Sequence, residues 1–172
     1  ANLIKDKINL EKLDKITLIF SAHGLPENKI KNGDPYQWQV EQTVKELVKR
    51  LSIKNLNYIL SYQSRVGPLK WIGPSTETII KNEAKKQKIL IIVPVAFVSE
   101  HSETLVELDI EYKKLAETNG SKEYIRVPAV TVNQDFINSL KTSILKAGSG
   151  EKFTSSIKCF EKFKKCPRIQ TL

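Results

Sequence analysis

Two histidines, a row of carboxylates and one aromatic loop hold most of the chemistry open to this 172-residue sequence. His23 follows the apolar run Thr17-Leu18-Ile19-Phe20, and His101 follows Pro94-Val95-Ala96-Phe97-Val98-Ser99-Glu100. Imidazole can exchange a proton near neutral pH or bind a divalent cation. A histidine after a strand also serves as a plain structural hydrogen-bonding group, and the residues alone leave both roles open. Glu103, Glu107 and Glu111 recur every fourth residue, so on a helix they share one side. Leu105, Leu108, Tyr112 and Leu115 form the opposite, core-facing stripe. Such an acidic row is ordinarily a solvated face. Like charges at this spacing repel, however, and no Lys interrupts the row before Lys113. With Glu100 and Asp109 nearby, it offers oxygen ligands to a weakly held, hydrated divalent cation. The loop Tyr62-Gln63-Ser64-Arg65-Val66-Gly67-Pro68-Leu69-Lys70-Trp71 adds flat aromatic faces beside two cations. That combination suits a flat anionic ligand. The alternative is that Trp71 simply covers the edge of the core.

These residues need a scaffold that brings them together. The apolar runs at 17–20, 58–62, 89–93 and 124–127 read as strands, with 89–93 buried on both faces because it is almost continuously β-branched. Helical spacing of apolar residues predicts helices at 34–51, 75–87, 101–118 and 134–147, with Ser75 or Thr76 as an N-cap and Asn119-Gly120 as a stop. Strand and helix alternate four times. The expected fold is α/β: a four-stranded parallel sheet with helices on both faces, followed by a basic C-terminal tail. Residues 1–15 read as a linker or short helix, 16–147 as the α/β domain and 148–172 as the tail. In parallel sheets ligands bind at the carboxyl ends of the strands. That edge carries the His23 loop, the 63–71 loop and the 96–101 segment.

Composition narrows the class. The chain has 28 Lys+Arg against 19 Asp+Glu, a net charge of +9. Only four of the basic residues are Arg, whose planar fork reads guanine, so no nucleic-acid partner is expected. Two cysteines cannot staple a chain of this length, which fits a reducing cytoplasmic setting. No signal-peptide pattern opens the sequence, and the longest apolar run is far too short to span a bilayer. Gly-rich phosphate loops, a Gly-x-Ser-x-Gly elbow and paired C-x-x-C spacing are all missing from the sequence.

Three stretches carry a family resemblance: Ser21-Ala22-His23-Gly24-Leu25-Pro26 with Gly33-Asp34-Pro35-Tyr36; residues 62–74; and residues 94–112. Together, over about residues 16–147, they resemble ferrochelatases, which insert Fe²⁺ into protoporphyrin IX or a related porphyrin in haem biosynthesis. The resemblance implies that His23 is the active-site histidine, taking pyrrole protons or binding metal, and that Glu103 is its metal-site partner across the cleft. It makes His101, Glu107 and Glu111 a supporting relay on a helix with a π-type widening. It points Trp71, with Arg65, Gln63, Ser64 and Tyr36, toward the porphyrin. Fe²⁺ is then a substrate, and no resident cofactor is required.

Family members are about twice as long, with two similar domains around the cleft. The resemblance covers the C-terminal half, so the N-terminal domain is an expected partner. Alternatives are a small homodimeric chelatase and a non-catalytic metal- or haem-binding remnant. The tail, 151–172, carries six basic and two acidic residues, with Phe153, Ile157, Phe160 and Phe163 at nearly helical spacing. It reads as a solvated tail or as a basic amphipathic helix resting on the inner face of a membrane. An iron–sulfur cluster takes four thiolates, and Cys159 and Cys166 are two, so none is expected from this chain alone.

Overall fold

The computed structural model describes residues 1–149, 160 and 162–166. Four strands, β1 (Ile16–His23), β2 (Tyr58–Gln63), β3 (Ile89–Pro94) and β4 (Glu123–Arg126), form one all-parallel sheet in the order β2-β1-β3-β4. The expected α/β fold is therefore present. Its strand order reverses at β1, where β2 lies to one side and β3 to the other. The carboxyl ends of β1 and β3 thus flank the crevice in which such sheets bind ligands.

Side-chain alternation along the two central strands builds a core on each face. Ile16, Leu18 and Phe20 of β1 join Ile89, Ile91 and Val93 of β3 on one face. There they meet Ile4 of the short α1 (Asn2–Lys5) and, beyond the short α2 (Glu27–Lys31), Val44 and Leu51 of α3 (Tyr36–Leu51). Ile19, Leu90 and Ile92 point the other way, onto Ile80 and Ala84 of α4 (Thr76–Lys85) and onto Leu108 and Ala116. All six residues of β3 are buried, as its continuous apolar run predicts. The edge strand β2 buries only its carboxyl-terminal half.

The 101–118 region departs from a single long helix. It opens as α5 (Ser102–Leu105), passes through a π-helical segment (Glu107–Tyr112) and closes as α6 (Lys113–Thr118). The widened turn changes which side chains face inward. Leu105, expected in the core stripe, is 47% exposed, whereas Thr104, Leu108 and Ala116 are buried. Burial there recurs at multiples of four residues, the same spacing as the three glutamates, because i→i+5 bonding holds more residues per turn. The last helix, α7 (Gln134–Gly148), has no buried residue.

The tail expectation falls mostly outside the described residues, Cys159 included. The part that is described turns back on the domain. Phe163 and Cys166 are buried, and Phe163 packs on Trp38 with ring centroids 5.4 Å apart. The backbone there makes two consecutive turns in place of the expected helical continuation, Phe163 N–H to the Phe160 carbonyl and Cys166 N–H to the Phe163 carbonyl. No described helix is long and apolar enough to cross a membrane.

Candidate active site

His23 is the last residue of β1, and the chain leaves the sheet through Gly24. Gly24 donates its N–H to the Gln63 carbonyl at 2.8 Å, and a Cβ built on it would sit 2.9 Å from that oxygen. Only glycine passes so close. Tyr36 then buttresses the turn by donating its hydroxyl to the His23 carbonyl at 2.9 Å. Burial, and next the Glu103 charge, push the Tyr36 phenol up to about 12, so it remains a donor.

Glu103 reaches His23 from α5, with Oε2 2.7 Å from Nδ1. The two residues are 80 positions apart in sequence, and both side chains are a little over one-third exposed. An ionised carboxylate only accepts, so Nδ1 carries the proton. In the neutral ring Nε2 is then the nitrogen with a free lone pair, the arrangement in which a carboxylate orients an imidazole and fixes its tautomer.

Glu107 is held differently. Its Oε1 accepts from the Ser64 N–H at 2.7 Å and the Tyr112 hydroxyl at 2.8 Å. Its Oε2 accepts from the Gln63 amide at 2.9 Å and the Ser64 hydroxyl at 2.5 Å. Four donors fill the roughly four lone-pair sites of a carboxylate. Ser64 delivers two of them from a left-handed backbone, φ 58°, a conformation that non-glycine residues adopt only under local constraint. Burial, and next the hydrogen bond to Glu107, raise the Tyr112 phenol far above its ordinary range. Glu111 lies further along the row.

His23, Ser64, Arg65, Glu103, Glu107 and Glu111 all border one open cavity of about 560 Å³. Among the described residues, no three His, Cys, Asp or Glu side chains converge closely enough to hold a metal ion. The chemistry offered is a carboxylate-oriented imidazole with further carboxylates beside it, open to a visiting cation.

The other anticipated residues do not line this cavity. His101 is exposed and acts as the N-cap of α5, its Nδ1 accepting from the Glu103 N–H at 3.2 Å. Its ring lies 5.3 Å from that of Phe97. Gln63, anticipated at the ligand, is fully buried, and its amide is consumed by Ser21, the Glu103 carbonyl and Glu107. Tyr36 spends its hydroxyl on the His23 backbone. Trp71 is half-buried and bridges to Pro26, and its indole N–H is buried without a partner among the described residues.

Sequence reasoning missed the groups that hold the acidic segment in place. Arg126, at the end of β4, grips Asp109 with two parallel bonds of 2.6 and 2.7 Å and Glu100 with a third of 2.6 Å. Tyr124 donates to the Leu108 carbonyl at 2.7 Å. An available signal was one of only four arginines standing at a strand's carboxyl end, level with the site. Ser21, Ser61 and Thr76, buried polar residues beneath the site, were also missed. The signal for the two serines was their place inside otherwise apolar strands, whereas Thr76 was legible only as an N-cap candidate.

Comparison with known proteins places the chain in a family. The family model for ferrochelatase matches residues 1–147. The ferrochelatase of Pelagibacter ubique (strain HTCC1062) is 59% identical over 162 residues, covering 92% of this chain and 47% of its own length. That of Rickettsia conorii is 52% identical over 147 residues, covering 85% of this chain and 42% of its own. That of Rickettsia bellii (strain OSU 85-389) is 48% identical over 176 residues, covering 95% and 47%. The chain spans about half the length of the curated relatives it matches. With the match running from the first residue through the acidic segment to α7, the chain belongs to the ferrochelatase family.

Proposed function

We propose that this chain supplies the metal-side half of a ferrochelatase, which inserts Fe²⁺ into protoporphyrin IX or a related porphyrin to form haem. The observation that carries the reading is the 2.7 Å pairing of His23 with Glu103 at the edge of a cavity bordered by Glu107 and Glu111. The porphyrin releases two inner N–H protons as the dication enters, so the reaction needs a base and a path for a cation. With Nδ1–H on Glu103, Nε2 of His23 takes a pyrrole proton as a general base. Glu103 stabilises the imidazolium that results. Glu111, nearer the far end of the row, offers oxygen to the incoming hydrated cation. Glu107, saturated with donors, contributes negative charge in place of a ligand atom.

Arg65 on the cavity wall suits the carboxylates of the porphyrin periphery. The partner in this reading is the other half of the full-length architecture, which closes the porphyrin cleft. A membrane-surface role for the tail would have to use residues other than Phe163, which is buried.

The test is metal insertion followed by porphyrin absorbance, with this chain alone and with the N-terminal half of a relative supplied in trans. Activity is expected with the added half, and His23→Ala is expected to lower it by about 10²-fold or more. Unchanged insertion by His23→Ala would remove His23 from the mechanism. Insertion by the chain alone, as a dimer, would favour a small homodimeric chelatase. Metal binding without turnover in either setting would favour a binding remnant.

A further inference from the structure

Beneath the acidic row, four side chains that are fully buried form a continuous chain of hydrogen bonds: Ser61, Thr76, Ser21 and Gln63. Thr76 Oγ1 lies 2.9 Å from both the Ser61 and the Ser21 hydroxyls. Ser21 donates to Gln63 Oε1 at 2.7 Å. Gln63 Nε2 donates to the Glu103 carbonyl at 2.8 Å and to Glu107 Oε2 at 2.9 Å.

Counting hydrogens sets the direction of every link. A carbonyl and a carboxylate only accept, so the amide must turn its NH₂ toward Glu103 and Glu107 and its oxygen toward Ser21. Ser21 has one hydroxyl hydrogen, spent on that oxygen, so Thr76 must donate to Ser21. Thr76 has then spent its own, so Ser61 must donate to Thr76. The alternative acceptor for Ser61, the Phe20 carbonyl, is more distant at 3.3 Å. All links therefore point one way, and chains so aligned polarise one another in a low-dielectric interior.

We infer that Ser61, Thr76 and Ser21 are positioning residues for the metal-handling row: they lock the Gln63 amide in the one orientation that pins Glu107 and the Glu103 backbone. Deprived of Thr76, Ser21 loses the donor that aligns its hydroxyl, so its bond to Gln63 Oε1 weakens and the amide is held from the Glu103 and Glu107 side alone. The direction of the bonds rests on geometry alone, while its use in metal handling rests on the function proposed above.

Two substitutions of opposite character test this in the full 172-residue chain. Thr76→Val keeps the volume and deletes the hydroxyl, whereas Thr76→Ser keeps the hydroxyl and deletes a methyl. By NMR hydrogen exchange, Thr76→Val is expected to speed exchange of the Gln63 side-chain amide and the Ser64 N–H by about tenfold, the effect of one buried hydrogen bond. Thr76→Ser is expected to leave both at the wild-type rate. The same ranking is expected for Co²⁺ affinity measured by calorimetry.

The reverse ranking, or exchange unmoved by Thr76→Val, would overturn the inference, since Thr76 would then serve packing. Should Thr76→Val fail to fold, Ser61→Ala, one link further from Glu107, is expected to shift exchange in the same direction by less. No shift there would also overturn it. If the wild-type chain does not bind Co²⁺, the metal-site reading fails, and the exchange ranking still decides the relay.

Discussion

Replacing Arg126 with Met should loosen the segment that carries the carboxylates. Arg126 donates to Asp109 inside the π-helical segment and to Glu100 just ahead of α5, so one guanidinium brackets Glu103 and Glu107 from both sides. Glu100 Oε1 also accepts the Ala129 N–H at 2.8 Å, and its Oε2 is buried without a partner among the described residues. Removing Arg126 deletes three charge-assisted bonds and leaves two carboxylates facing each other's field. Fully buried, such a loss costs about 3–5 kcal/mol. Here the arginine is 14% exposed but the acids are 24% and 32% exposed, so water replaces part of the loss. A cost of about 2–4 kcal/mol follows. For a chain of this size that lowers Tm by roughly 6–12 °C.

Urea unfolding of the wild type, Arg126→Met, Asp109→Asn and the double variant gives the cycle. A coupling of about 1–3 kcal/mol is expected for groups in direct contact. Arg126→Lys should recover less than half of the loss, because an ammonium cannot reproduce the two parallel bonds. An Arg126→Met loss below about 1 kcal/mol, with no coupling to Asp109, would refute the idea that this clamp holds the segment.

Two further outcomes follow, one from another part of the fold and one from the same clamp. Gly33 sits at φ +90°, and a Cβ there would lie 2.9 Å from the Lys164 nitrogen, so Gly33→Ala should cost about 1–3 kcal/mol and lift residues 162–166, with Phe163, off Trp38. A red shift in Trp38 emission would report this; unchanged emission would mean that the segment docks without the close approach. Acid should weaken the Arg126 clamp specifically. Burial opposes the Glu100 charge, but hydrogen bonds from Arg126 and the Ala129 N–H help hold the pKa below the ordinary Glu value. A carboxyl lowered on folding adds stability above its unfolded pKa of about 4.5, and that stability is lost as pH falls through the folded value. Urea midpoints measured across acidic pH should fall more steeply in the wild type than in Arg126→Met, and equal slopes would count against the clamp.

The sequence by itself determined the layers and the inventory. Ile89-Leu90-Ile91-Ile92-Val93 could only be a strand buried on both faces, and regular alternation with amphipathic helices required a parallel sheet. Local patterns of apolar residues carry that information because burial follows their period. They also placed the His23 loop, the 63–71 loop and the 96–101 segment on one edge of the sheet.

Tertiary structure decided how those residues work. The 80-residue gap between His23 and Glu103 closes only through the strand order, which sets β1 beside β3. The three glutamates look equivalent in sequence, yet one pairs with an imidazole and the next is saturated by four donors. Gln63 was legible as a polar residue in a site loop, but not as a fully buried anchor. The π-helical segment left a four-residue spacing and a family resemblance as its traces, and its Arg126 clamp left only an arginine at a strand's end. Spacing along a chain records which residues can share a face. Which lone pairs and protons meet depends on contacts between elements distant in sequence, and these exist only once the core has brought the elements together.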